Sequence, residues 1–185
     1  MGSEMCIRDR DIVGDGDIVE QIETQLKSQI KDGKVVIHGQ MKHEEVMNVM
    51  NYSEVFLLLS DFEGMPMSLL EAYACQCVPI VYEMDSGISE VIDHGVNGYV
   101  SGEKSVSEVA DFIESLTVPE QFNEVLTNCG TTLSEKELLA SDMARSYKNI
   151  FDIVFEDITN GTYSRPDSLG FRSRRKGTLP PIWLS

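Results

Sequence analysis

Glu63 and Glu71 are the residues whose types and spacing best suit chemistry. They lie in the stretch Ser60-Asp61-Phe62-Glu63-Gly64-Met65-Pro66-Met67-Ser68-Leu69-Leu70-Glu71-Ala72. A carboxylate accepts paired hydrogen bonds from vicinal hydroxyls, the groups that sugars and riboses present. Pro66 suits the first turn of a helix, where its missing N–H costs nothing. The amides of Met67, Ser68 and Leu69 then form an anion site at the helix N-terminus. Gly64 permits close backbone approach or an unusual dihedral. Glu71 falls one turn further along the same helix, so two carboxylates flank a site the size of a phosphate.

Other candidate residues carry less. His38, His43 and His94 have no metal or nucleophile partners at useful spacing and read as structural or solvent-exposed. Cys6, Cys75, Cys77 and Cys129 form no C-x-x-C pair and read as reduced thiols of a cytosolic protein. Gly14-Asp15-Gly16 reads as a tight strand-to-helix turn, and Gly87 with Glu90 as a helix start with its first-turn acid.

Charge narrows the partners. Fifteen basic against 31 acidic side chains leave a formal charge of −16. The segment 163–185 holds five basic residues and one acid, a net of +4, so the body carries −20. Binding a nucleic acid backbone needs Lys and Arg to displace its condensed counterions, so nucleic acid is excluded as a partner. The basic tail reads first as a solvated tail, with peripheral contact to an anionic membrane surface as the alternative, since so few charges bind only weakly unaided. No apolar run approaches the ~20 residues of a spanning helix.

The elements that must position these groups alternate. Apolar strand-like runs fall at 11–13, 34–38, 55–59, 78–82 and 98–100, with starts 20 to 23 residues apart. That is the length of a strand plus a crossover helix. Ile18, Ile22, Leu26 and Ile30 repeat every four residues on one helical face, and Val106, Val109, Ala110, Ile113 and Leu116 mark another. Shorter helices centre on Val46 and Met50 and on Leu69, Leu70 and Tyr73. The pattern predicts an α/β, doubly wound parallel sheet, followed by helices over 120–129 and 135–157. In such a sheet, ligands bind beyond the carboxyl ends of the strands. The loop holding Glu63 lies there.

The Ser60–Ala72 stretch continues through Ala74-Cys75-Gln76-Cys77-Val78-Pro79-Ile80-Val81, Asp85-Ser86-Gly87-Ile88-Ser89-Glu90-Val91-Ile92 and Gly95-Val96-Asn97-Gly98-Tyr99-Val100. With Ile12-Val13-Gly14-Asp15-Gly16 and Val35-Val36-Ile37-His38-Gly39 upstream, it resembles the C-terminal nucleotide-sugar-binding domain of retaining GT-B-fold glycosyltransferases, family 4. The resemblance covers about residues 11–116, and 134–155 more loosely.

The resemblance implies a Rossmann-like fold and transfer of a hexose from a nucleotide diphosphate sugar to a saccharide or lipid-linked acceptor. It implies that Glu63 is the catalytic-site acid at the donor sugar and that Glu71 holds the ribose hydroxyls. Backbone around Gly64, Met65, Pro66, Met67 and Ser68 would meet the sugar and diphosphate, and Gly39, Gln40 and Met41 would edge the base. No metal or cofactor is expected. Gln76 departs from the usual glycine. The family's first strand–helix unit, with an Arg and a Lys for the diphosphate, and its N-terminal acceptor domain have no counterpart in this chain. The expected organisation is a non-native leader over 1–10, a partial donor domain with trailing helices over 11–157, and a flexible basic tail over 158–185. The expected setting is cytoplasmic, peripheral to the inner face of a membrane. The competing readings are an epimerase or glucan synthase fragment of the same fold, and a non-catalytic nucleotide-binding module.

Overall fold

The computed structural model describes residues 10–84, 86–102 and 104–162. The leader up to residue 9, Asp85, Glu103 and the tail beyond 162 lie outside the described residues. Strand β1 (Arg10–Val13) leads through helices α1 (Val19–Gln25) and α2 (Lys27–Lys31) to β2 (Val35–Gly39). Then come α3 (His43–Asn51), β3 (Val55–Leu58), α4 (Met67–Ala74), β4 (Val78–Tyr82), α5 (Ile88–Val91) and β5 (Tyr99–Ser101). Helices α6 (Val106–Ser115), α7 (Pro119–Glu135) and α8 (Ala140–Asn160) follow. Two compact units divide the chain at Ala140. The first holds all the strands. The second contains most of α8, along which Arg145 pairs with Asp142 and Lys148 with Asp152.

Every strand pair is parallel, with Val55 opposite Val78, and Ile80 opposite Tyr99. The α/β class therefore stands. Its one sheet is instead two: β1 pairs with β2, and β3-β4-β5 form a separate ladder. Among the described residues, β1 and β3 each keep one edge without a neighbouring strand. Pairing partners distant in sequence leave no mark in local periodicity, so this division was not readable from the apolar runs.

The core is equally lopsided. Leu69, Tyr73, Val78, Ile80, Val81, Ile88, Val91, Tyr99, Val109, Val125 and Cys129 pack into one cluster around β4. Covered on both faces, β4 is continuously apolar. Before Pro66, Val35 is the one buried residue among those described, and α1, α2 and α3 bury none. A hollow of about 470 Å³ lies among Glu23, Thr24, Lys27, Ile30 and Ile37.

Several boundaries move for local reasons. The four-residue repeat from Ile18 to Ile30 forms two helices, broken at Leu26 (φ −98°, ψ 14°). α7 runs through Gly130 to Glu135 instead of ending at Cys129. The Thr131 and Thr132 hydroxyls donate back to the Asn128 carbonyl, and burial of Thr132 holds this stretch of weak helix formers in the helix. α7 ends where Glu137 turns left-handed (φ 54°). α4 ends the same way at Gln76 (φ 59°), where the Gln76 amide donates to Tyr73 and the Cys77 amide to Ala72. That double bond pattern usually takes glycine. Just before β5, a Cβ on Gly98 would lie 2.8 Å from Pro79 Cγ and 2.9 Å from the Pro79 carbonyl oxygen. Only glycine lets β5 approach β4 there.

Candidate donor site

The loop after β3 carries Glu63, half-buried, and its carboxylate has no hydrogen-bond or ionic partner among the described residues. Two expectations change at the helix that follows. Pro66 is the N-cap of α4 (φ −71°, ψ 114°) rather than a first-turn residue. The Leu69 amide is not free, because it closes a turn onto the Pro66 carbonyl at 3.1 Å. The amides of Met67 and Ser68 keep no partner among the described residues and point out of the helix N-terminus. Gly64 has an ordinary φ, and open space surrounds the position its Cβ would take.

Glu71 sits on α4 about 6 Å further along the axis from Met67, by the helical rise of ~1.5 Å per residue. It is 28% exposed. No hydrogen bond or ion pair joins it to Glu63, so the two acids flank the helix start as separate groups. α3 brings a third region near. The Cys77 thiol donates to the carbonyls of Met50 (3.0 Å) and Ser53 (3.3 Å), and Cys75 faces the Met47 carbonyl at 3.9 Å. These contacts hold α3 beside α4 and leave His43 Nδ1 3.7 Å from Glu71 Oε1. His43 thus faces a site acid, which its sequence spacing did not show.

Gly39, Gln40 and Met41 form the turn between β2 and α3. Gly39 adopts φ +66°, a region that disfavours side chains, and accepts the Gly14 amide at 2.8 Å. That bond ties the loops after β1 and β2 together. Gly14-Asp15-Gly16 is an irregular link, and the turn into α1 falls just after it at Asp17-Ile18, closed by the Val19 amide on the Gly16 carbonyl. Gln40 is exposed and Met41 half-buried.

Two groups from later loops reach the Glu63 loop. The Gly87 amide donates to the Gly64 carbonyl at 3.1 Å. Lys104 Nζ donates to Asp61 at both its carbonyl (3.2 Å) and its carboxylate (3.0 Å). Gly87 caps α5 as its spacing implies, but the Lys104 contact spans 43 residues and has no local signal.

The remaining histidines and thiols are bound into the scaffold. His38 pairs with Asp11, and His94 accepts the Val100 amide while packing edge-on against Tyr99 and Phe112. Burial pushes the Cys77 thiol up to about 11 and the Cys129 thiol up to about 12. Among the described residues, no group of three His, Cys, Asp or Glu is placed to hold a metal ion. No described helix is long and apolar enough to cross a membrane.

Parallel strands with crossover helices make a Rossmann-like α/β fold of the GT-B kind. Residues 11–130 match the family described as glycosyl transferases group 1, and the chain belongs to that family. It is 34% identical over 116 residues to the amylovoran biosynthesis glycosyltransferase AmsK of Erwinia amylovora, covering 57% of this chain and 27% of that protein. It is 29% identical over 150 residues to the N-acetyl-alpha-D-glucosaminyl L-malate synthase of Bacillus anthracis, covering 81% and 39%. The chain therefore spans well under half the length of these curated relatives. Among solved structures, the pneumococcal O-GlcNAc transferase GtfA in complex with UDP and GlcNAc superposes with a TM-score of 0.61 at 19% identity, covering 80% of this chain and 29% of that one. Anabaena Alr3699/HepE in complex with UDP gives 0.64 at 18% identity, covering 77% and 41%.

Proposed function

We propose that the chain is the donor-binding half of a retaining glycosyltransferase, which moves a hexose from a nucleotide diphosphate sugar to a saccharide or lipid-linked acceptor. The observation that carries this reading is the helix start beyond β3, where the amides of Met67 and Ser68 keep no partner among the described residues and stand between Glu63 and Glu71 in the chain. Unpaired amides at a helix N-terminus favour phosphate. The Glu71 carboxylate accepts from the two ribose hydroxyls, and Glu63 accepts from hydroxyls of the sugar. Gly39, Gln40 and Met41 edge the base. In the reaction, the bond between the sugar's anomeric carbon and the diphosphate oxygen breaks. A bond to the acceptor oxygen forms, and the acceptor's proton is lost. The α4 amides stabilise charge developing on the leaving diphosphate, which is the kind of effect that contributes most to catalysis. The reading assigns the reaction no metal or cofactor.

The unpaired edges of β1 and β3 support a larger whole. In a 3-2-1-4-5-6 sheet, strands numbered like β2-β1 and β3-β4-β5 stand on either side of a central strand. We place there a further strand–helix unit of the same polypeptide, together with an acceptor-binding domain. Without the positioning of acceptor against donor, worth about 7–11 kcal/mol in such reactions, residues 1–185 alone bind donor and show no transferase turnover. The setting we assign is cytoplasmic, with the basic segment 163–185 on an anionic membrane face.

Calorimetry with UDP and UDP-glucose tests the roles. Glu71→Ala weakens both ligands by about 1–3 kcal/mol, the worth of a hydrogen bond to a charged group. Glu63→Ala leaves UDP unchanged and weakens UDP-glucose. Equal effects of both substitutions on both ligands would overturn the assignment.

A further inference from the structure

We propose that Lys104 is a positioning residue for Glu63, acting from the loop after β5 on the loop after β3. This rests on the reading of Glu63 as the acid that meets the donor sugar. Glu63 lies in residues 59–66, which form neither helix nor strand. That segment would be free to swing but for contacts from other loops. One is the Gly87 amide on the Gly64 carbonyl, at 3.1 Å. Beside it, the Met65 side chain fills the space a Cβ on Gly87 would occupy, with Met65 Cε 2.5 Å from that position. The other is Lys104 Nζ, which takes both the main-chain oxygen and the carboxylate of Asp61. Glu63 stands between these two anchors.

Lys104 is itself held in an unusual state. It has φ +52°, a left-handed conformation that costs a residue other than glycine and persists where its surroundings impose it. The surroundings are a half-buried network. Ser101, fully buried, donates to Glu108 and accepts the Ser105 amide at 3.1 Å. The Ser105 hydroxyl accepts the Glu108 amide and caps α6. This network fixes the backbone from which the lysine extends. Asp61 is 95% exposed, so the ion pair contributes little to stability in water. What the pair does is direct the loop. The contact to the Asp61 carbonyl matters most here, because it holds the main chain rather than a swinging side chain.

The test uses the full chain and the variants Lys104→Met, Lys104→Arg and Asp61→Ala. Calorimetry with UDP and UDP-glucose is read beside backbone amide order parameters for residues 61–65. In the unaltered chain those amides are ordered, near the ~0.85 of rigid backbone, and in Lys104→Met they fall toward ~0.6. Lys104→Met leaves UDP affinity within about twofold and weakens UDP-glucose about three- to tenfold. Lys104→Arg restores it. Asp61→Ala, which keeps the main-chain contact, has the smaller effect. The urea midpoint stays unchanged throughout. Unaltered order parameters in Lys104→Met, or equal weakening of both ligands, overturns the proposal. If Glu63→Ala fails to separate UDP from UDP-glucose while Lys104→Met still loosens the loop, the assignment of Glu63 fails and the positioning contact stands.

Discussion

Replacing Asn97 with alanine tests the packing that supports the site. Asn97 is 3% exposed, and its side chain joins the end of α5 and the loop after it to α7. Its Oδ1 accepts the Asp93 amide at 2.8 Å, and its Nδ2 donates to the Val91 carbonyl at 3.1 Å and to Thr132 Oγ1 at 3.0 Å. Its main-chain carbonyl accepts the Tyr73 hydroxyl and the Cys129 thiol, bonds that alanine would keep. Asn97→Ala therefore removes three bonds and leaves the Asp93 amide, the Val91 carbonyl and the Thr132 hydroxyl short of a partner. A buried polar group left unpaired costs about 1–3 kcal/mol. With partial relaxation, a total loss of about 2–4 kcal/mol is expected. Native domains hold only about 5–15 kcal/mol, so this is a large fraction. Urea unfolding followed by circular dichroism reads it directly. At a slope of about 1–3 kcal/mol per molar urea, the midpoint falls by roughly 1–2 M with the slope unchanged. Asn97→Asp keeps the acceptor, loses both donors and sets a charge beside the Val91 carbonyl, so it falls at least as far. A loss under about 0.5 kcal/mol for Asn97→Ala, the range of ordinary surface substitutions, would refute the hub.

Gln76→Gly relieves the left-handed position at the end of α4 and raises stability by about 0.5–1.5 kcal/mol, seen as a melting temperature higher by about 2–4 °C. In alkaline solution the buried thiols of Cys77 and Cys129 and the Tyr73 hydroxyl, all with raised pKa values, stay protonated in the folded chain while the unfolded chain ionises. The contribution of the two thiols to stability is complete below about pH 9, their ordinary value, and is lost as pH rises through about 11 to 12, while that of Tyr73 persists to higher pH. Urea midpoints measured across that window check it. Peptides holding Cys77 and Cys129 label with iodoacetamide at pH 8 only after unfolding, since the thiolate is the reactive form.

Much of this was legible in residue order. The strands stand within a residue or two of the apolar runs, because a strand buried on both faces must be continuously apolar, as Val78 to Tyr82 is. The placement of Glu63 in a loop and Glu71 on the following helix also follows from Gly64, Pro66 and the periodicity of Leu69, Leu70 and Tyr73. Other features needed coordinates. The separation of β1-β2 from β3-β4-β5 depends on pairing between distant segments. Asn97 looks like a turn residue in Gly95-Val96-Asn97-Gly98 until Thr132, 35 positions on, is seen beside it. The helix through Gly130 and Thr132 contradicts local propensity because tertiary burial of Thr132 outweighs it. Lys104 and His43 became site neighbours only through contacts across the ends of the sheet.

A crystal structure of the chain soaked with UDP-glucose tests the central claim most directly. The account predicts ribose hydroxyls within about 2.7–3.2 Å of the Glu71 carboxylate, the diphosphate over the amides of Met67 and Ser68, and the glucose hydroxyls on Glu63. A nucleotide bound elsewhere on the molecule, with Glu71 and the start of α4 untouched at saturating ligand, would contradict it.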